Sequence, residues 1–226
     1  MRVNNKTFEQ FGMKVYSFSY QPLSMSAITF QNDRGLNIVH GGFEVTLKQM
    51  NMICLFRDKL NISRFIQNVS ENVPTIIDIE DGFRYECYYQ GGSNQVSEIY
   101  NGWYKVSFPF LVIQQSRTVR KIELKSVRNT ILNSGTYKCP CIIEITPGVD
   151  IANITIGNYT IKDLKANKKF TIDGVTKKVY DQNGNRFSDV KFKNNTFPFL
   201  DTGINIINIT SIQNVKVVIK YREVFI

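Results

Sequence analysis

The sequence predicts a mainly β protein of two domains, with one α-helix in the first. Three observations carry this. Strand-length runs alternate apolar and polar residues: Val215, Val217, Ile219 and Tyr221 interleave with Lys216, Val218, Lys220 and Arg222. Turn dipeptides separate such runs, at Asn4-Asn5, Asp81-Gly82, Asn101-Gly102, Asp173-Gly174 and Asn183-Gly184. Only one window shows a helical apolar stripe. The chain is rich in Ile, Asn, Lys and Thr and poor in Ala, which also favours strands and turns. Its 226 residues suffice for one large or two small domains.

In chain order, Arg2–Thr7 reads as a hairpin turning at Asn4-Asn5, and Phe11–Phe18 as the next strand. Asn32-Asp33-Arg34-Gly35 is a tight turn, and Phe43, Val45 and Leu47 mark one face of a strand over Gly41–Lys48. Residues 58–71 form the helix. Asp58 caps it, Leu60, Ile62, Phe65, Ile66 and Val69 make the apolar stripe, and Pro74 ends the region. That stripe is expected to cover a sheet face. Thr75–Ile79 and Phe83–Tyr89 pair across Asp81-Gly82, Gly91-Gly92-Ser93 is a loop, and Val96–Tyr100 pairs with Trp103–Phe108. Pro109-Phe110 closes this domain, spanning residues 1–113.

Residues 114–130 are polar and basic, and read as a connecting segment. The second domain then runs over 131–226. Its strands are expected at Pro140–Ile145, Ile154–Ile156, Tyr159–Leu164, Lys169–Ile172 and Lys178–Tyr180, with turns about every ten residues, as in a β-sandwich. Pro198 and Gly203 lead into a strand whose apolar positions are Ile204, Ile206 and Ile209, one face in the core. Val215–Tyr221 closes the sheet.

The net charge is +9, with Lys and Arg spread along the chain. The densest run, Arg117, Arg120, Lys121, Lys125 and Arg128, lacks the interleaved aromatics of a nucleic-acid reader and suits a solvated basic surface. The first residues show no export signal, and no apolar run reaches membrane-spanning length, so synthesis in a cytoplasm is expected. Cys139-Pro-Cys141 has neither metal-ligand spacing nor, on one strand, disulfide geometry. With Cys54 and Cys87 it reads as a set of buried thiols.

No catalytic, cofactor or metal site is predicted. His40 is the sole histidine and sits in a turn without a nucleophile motif. Asp78, Glu80 and Asp81 are clustered carboxylates, but Glu80-Asp81-Gly82 reads as a hairpin tip rather than an acid–base pair. Asp181-x-Asn183-Gly184-Asn185 lacks the closing Glu and flanking helices of a calcium loop. A long strand-rich chain without site chemistry reads as a binding or scaffold module that must protect its sheet edges.

Four segments together resemble the distal tail proteins of long-tailed, siphovirus-type bacteriophages. They are the opening hairpin with Phe8-Glu9-Gln10-Phe11-Gly12, the Phe108-Pro109-Phe110 closure, Asn133-Ser134-Gly135-Thr136 before Pro140-Cys141-Ile142-Ile143, and Phe197-Pro198-Phe199-Leu200 running to Gly203-Ile204-Asn205 with the terminal Tyr221-Arg222. Phe170–Asp173 and Val179-Tyr180-Asp181 with Gly184 add to the match. The chain departs from the family's Pro-Gly at Asp201-Thr202-Gly203 and from its Glu-Asn at Ile204-Asn205.

The resemblance implies a structural tail-tip hub, not an enzyme and without a cofactor. It would form a hexameric ring joining the tail tube protein to the tail-associated hub protein. The ring would let DNA pass without specific binding. The second domain would be a galectin-like sandwich where receptor-binding proteins can attach. Location in the virion tail tip follows. Trp103, Tyr104 and the basic run are the interface residues that suggest themselves. The competing reading is a carbohydrate-binding or adhesion module. The shortness of the chain and its single Trp, in the first domain, argue against sugar binding.

Overall fold

The computed structural model describes residues 1–21, 25–26, 30–32, 35–37, 44–45, 48–79, 81–91, 96–100 and 102–225. These are mainly strands. They divide into two compact units, Met1–Gln115 and Ser116–Phe225.

The first unit is built on one sheet, in the order Lys6–Thr7, Arg2–Val3, Thr75–Asp78, Phe83–Tyr89, Trp103–Ser116, Lys48–Phe56, Met13–Gln21. Val96–Tyr100 also pairs with Trp103–Ser116. The opening hairpin turns as expected: Asn4 (φ 47°) and Asn5 (φ 67°) occupy the left-handed region that a tight two-residue turn demands. Asn4 also ties the hairpin down. Its amide nitrogen donates to the Ile76 carbonyl, its Oδ1 accepts from the Ile76 N–H at 2.8 Å, and its Nδ2 donates to Asn68 on the helix.

Phe8–Phe11 is a 3-10 helix rather than the start of the next strand. The Thr7 N–H donates to the Gln10 side chain, and Gly12, at φ 61°, ends the turn. The strand therefore begins at Met13. Lys48–Phe56 is a central strand not anticipated from the sequence, although Met50, Met52, Cys54 and Phe56 alternate inward. The expected strand over Gly41–Lys48 contains only Glu44–Val45, paired with Met25–Ser26, before Lys48 begins the next one. Its remaining positions, 41–43 and 46–47, lie outside the described residues. Asp33 and Arg34 of the tight turn also lie there, and Phe30–Asn32 pairs with Gly35–Asn37 around them.

The helix is Lys59–Glu71, and the Asp58 carboxylate accepts from the Leu60 N–H at 2.9 Å. Ile62, Phe65 and Val69 are buried, and Ile66 packs at the edge of the core. Leu60, expected in the stripe, is 54% exposed. It precedes Ile62 by two residues, about 200° of helical turn, which carries it to the opposite side. Phe65 is the hub of an aromatic core, with ring centroids 5.4 Å from Phe11, 4.8 Å from Phe108 and 6.2 Å from Phe56.

Pro109 does not close the unit's last strand, which runs on to Ser116 with Val106, Phe108, Phe110 and Val112 buried. The Pro109 carbonyl accepts from Gln90, just past the end of Phe83–Tyr89. A strand residue's N and C=O point to the same side. Phe83–Tyr89 has ended by that point, so Pro109, which has no N–H to donate, lies beside the end of the neighbouring strand rather than along its ladder.

In the second unit the main sheet has the order Arg120–Leu124, Val215–Tyr221, Cys139–Pro147, Phe170–Asp173, Lys178–Asp181, Gly184–Asn185. Ile151–Ile156, Tyr159–Leu164 and Val190–Phe192 form a second sheet, and Arg128–Asn133 pairs with Gly203–Asn208 in a two-stranded ribbon. Alternate residues of both sheets are buried, among them Ile143, Ile145, Val217, Ile219, Ile154, Ile156 and Ile161.

Two expectations are corrected here. The stretch 114–130 is not a connecting segment, because Arg120–Leu124 pairs along Val215–Tyr221 and the ribbon strand begins at Arg128. Charged residues mislead at a sheet edge, where half of each strand stays in water. Ile204 and Ile206 do not enter the core either: they are 72% and 51% exposed, while Ile209, past the strand's end, is buried.

Candidate functional site

Among the described residues, those that could have carried chemistry do not converge. His40 and Glu80 lie outside the described residues. Asp81 is occupied at its hairpin, where its carboxylate accepts from the Phe83 N–H and, at 2.6 Å, from the Tyr85 hydroxyl. Asp78 stands opposite Arg84 in register, yet Asp78 Oδ1 and Arg84 Nε are buried without hydrogen-bond partners. Both line a polar cleft of about 610 Å³, together with Asn4, Asn72 and Glu71.

Asp181 is a structural carboxylate. It accepts from the Asn183 N–H at 2.7 Å and from Arg186 Nη1 at 2.6 Å, and Arg186 Nε donates to Asp189. Burial pushes the Asp181 carboxyl up, but the Asn183 amide and Arg186 outweigh it and hold it below the usual carboxylate range. The Asp189 carboxylate and then Asp181 raise Arg186 in turn, against burial. Arg186 thus pairs with both carboxylates of the triad.

The four cysteines are free and buried. Burial pushes the Cys139 thiol up to about 11, and moves Cys54, Cys87 and Cys141 further in the same direction. These thiols therefore stay protonated and unreactive near neutral pH. Among the described residues no group of three or more His, Cys, Asp or Glu side chains is placed to hold a metal. No described helix is long and apolar enough to cross a membrane.

What the structure presents instead is surface. On the sheet face turned away from the helix, Trp103 is half-buried beneath two cations, with the Arg57 guanidinium 4.8 Å and Lys14 Nζ 5.9 Å from its ring. Lys105 lies over the ring of Tyr16 at 5.1 Å. Tyr104 points the other way, packs against the core, and carries Lys59 over its ring at 5.2 Å. Trp103 and Tyr104, adjacent in sequence, thus serve opposite faces.

The basic run from Arg117 to Arg128 is divided among several elements. Arg120 pairs with the buried Glu223 at 3.0 Å, while Lys121, Lys125 and Arg128 are spread over a strand, a turn and the ribbon. In the second unit Phe187, Phe192 and Phe197 form an aromatic cluster, with Phe187 stacked 5.3 Å from Phe192 and half exposed. The exposed ribbon face adds Leu132, Ile204 and Ile206.

Residues 134–225 match the family model described as siphovirus-type tail component, C-terminal domain. No curated protein matches the chain. Among solved structures the chain is similar to the SPP1 Dit (gp 19.1) protein, described as a paradigm of hub adsorption apparatus in Gram-positive infecting phages. The TM-score is 0.69 at 10% identity, with 96% of this chain and 95% of that one covered. It is also similar to a chain of the phage P2 baseplate in its activated conformation with Ca, at TM-score 0.53 and 10% identity over 94% and 90% of the two chains. A chain of the p2 baseplate with Sr gives 0.50 at 11% identity over 92% and 90%. At these identities the likeness is one of fold.

Proposed function

We infer from one premise, that residues 134–225 belong to the siphovirus-type tail component family, that the whole chain is a structural hub of a phage or prophage-derived tail tip. The observation that carries the inference is the near-complete coverage of this chain by the SPP1 Dit fold, which extends the likeness well beyond the matched C-terminal unit. The hub acts by shape and self-association. Its location is the virion tail tip.

The proposed assembly is a hexameric ring built by the first unit. Among the described residues that unit's sheet ends at Lys6–Thr7 on one side and Met13–Gln21 on the other, and a sheet with two ends must protect them. Head-to-tail contact between copies protects both and closes into a ring. The ring joins the tail tube protein to the tail-associated hub protein and lets DNA pass without sequence-specific binding. The second unit, a galectin-like sandwich at the periphery, is where receptor-binding proteins attach.

Native mass spectrometry and negative-stain microscopy of the purified protein test this. The expected result is a ring with the mass of six chains of 26.1 kDa each. A particle that stays monomeric at high concentration overturns the hub reading. If that monomer binds glycans, the chain is an adhesion module instead.

A further inference from the structure

We propose that the sheet face bearing Lys14, Arg57 and Lys105 is a contact surface for the phosphate backbone of duplex DNA. These cations come from three neighbouring strands: Lys14 and Lys105 both stand opposite Leu55 on the central one, and Arg57 follows that strand's end. Their side chains lie on one face, because Met13, Cys54, Phe56 and Val106 point into the core from the other.

None of the three forms a salt bridge with a described carboxylate; their partners are the rings of Trp103 and Tyr16. Two described acidic groups on the flanking segments are otherwise placed. Asp58 is turned onto the helix N-terminus, and Glu98 stands across from Tyr104. The rings hold the cations in place and partly strip their water, while no described carboxylate pairs with their charge. Such an array attracts a polyanion.

Charge and composition select the occupant. Two of the three cations are lysines, a residue depleted at protein–protein interfaces but effective as a point charge on phosphate. Both rings already carry a cation, Trp103 two of them, and only Tyr16, 65% exposed, keeps an open face, which is less than the row of stacking platforms that single strands require. A duplex presents phosphates and no exposed base faces, and its contact here would carry no sequence information. The inference rests on this face rather than on the ring, so failure to form a hexamer leaves it standing. Equally, failure to bind DNA leaves the hub reading untouched.

The test is fluorescence anisotropy of the full-length protein with a labelled duplex of about 30 base pairs at several salt concentrations. The triple variant K14Q/R57Q/K105Q is compared with K121Q/K125Q/R128Q, which removes the same charge from the second unit. Melting curves confirm that both fold. The expected result is that the first variant loses at least about tenfold in affinity and flattens the plot of log K against log salt by about 2.7, roughly 0.9 for each phosphate that is no longer neutralised, while the second changes little. Equal losses in the two variants, or no duplex binding by the parent protein, overturn the proposal. It also fails if a single strand binds more tightly than the duplex and W103A abolishes that binding. Loss of self-association in the first variant with DNA binding intact would mark the face as a protein interface and likewise overturn it.

Discussion

Leu132 stands directly opposite Ile204 in the ribbon of Arg128–Asn133 and Gly203–Asn208, and the two side chains are 55% and 72% exposed. Facing residues on an antiparallel pair share one side of the sheet, so this apolar pair and Ile206 form a single outward stripe. Little apolar area is withdrawn from water there within the chain. The double variant L132T/I204T keeps strand-compatible side chains and is expected to shift folding stability by no more than about 0.5 kcal/mol. Urea unfolding of the purified protein checks this. A larger loss would mean that the stripe is covered in the folded chain.

Phe65 sets the opposite expectation. It is fully buried among Phe11, Phe56 and Phe108. Phe65→Ala should cost about 3–5 kcal/mol, the range for emptying an aromatic site in a packed core. Leu60→Ala, on the same helix but on its exposed side, should cost less than about 0.5 kcal/mol. Thermal unfolding of the two variants should separate them clearly.

Gly174 tests close backbone approach. A Cβ there would lie 2.0 Å from the Pro198 carbonyl oxygen and 2.6 Å from that of Cys141. Both are backbone atoms, and the Gly174 N–H donates to the Cys141 carbonyl at 2.9 Å, so neither side yields easily. Gly174→Ala should destabilise the chain by roughly 1–3 kcal/mol, the usual cost of overpacking. An unchanged melting temperature would contradict this geometry.

Asp181 and Arg186 predict a pH dependence. The Asp181 carboxyl titrates below its usual range in the folded chain, so it contributes stability at pH values above its unfolded pKa. That contribution is lost as the pH falls through the folded value. Asp181→Asn should remove this acid-side slope. It should also cost about 1 kcal/mol near neutral pH, because the partly buried Arg186 loses one of its two charged acceptors. Unfolding measured from neutral to acidic pH in both proteins gives the comparison.

Much of the architecture was legible in the sequence where a local rule acts alone. The boundaries of Phe83–Tyr89, Val96–Tyr100, Tyr159–Leu164 and Val215–Tyr221 agree with the alternation and turn dipeptides that predicted them. The Asp58 cap located the helix. Errors arose where a partner far along the chain decides. Pro109 can sit inside a long strand because the adjacent strand ends beside it. The basic stretch after Ser116 is ordered because Val215–Tyr221 supplies its ladder. Trp103 suggested itself from the sequence, but the cations around it did not, since Lys14, Arg57 and Lys105 meet only after three separated strands align.

The sequence by itself determined that this is a β-rich chain with a capped helix, because alternation, turn residues and caps act over a few neighbouring positions. It also held the order of short motifs that resemble a tail-tip family, since those motifs are contiguous. Only the tertiary structure decided which face of each strand meets water. The same alternation fits either face, and whether Ile204 lies in a core or on the surface depends on what packs against its ribbon. That is a long-range outcome of packing, on which no local pattern reports.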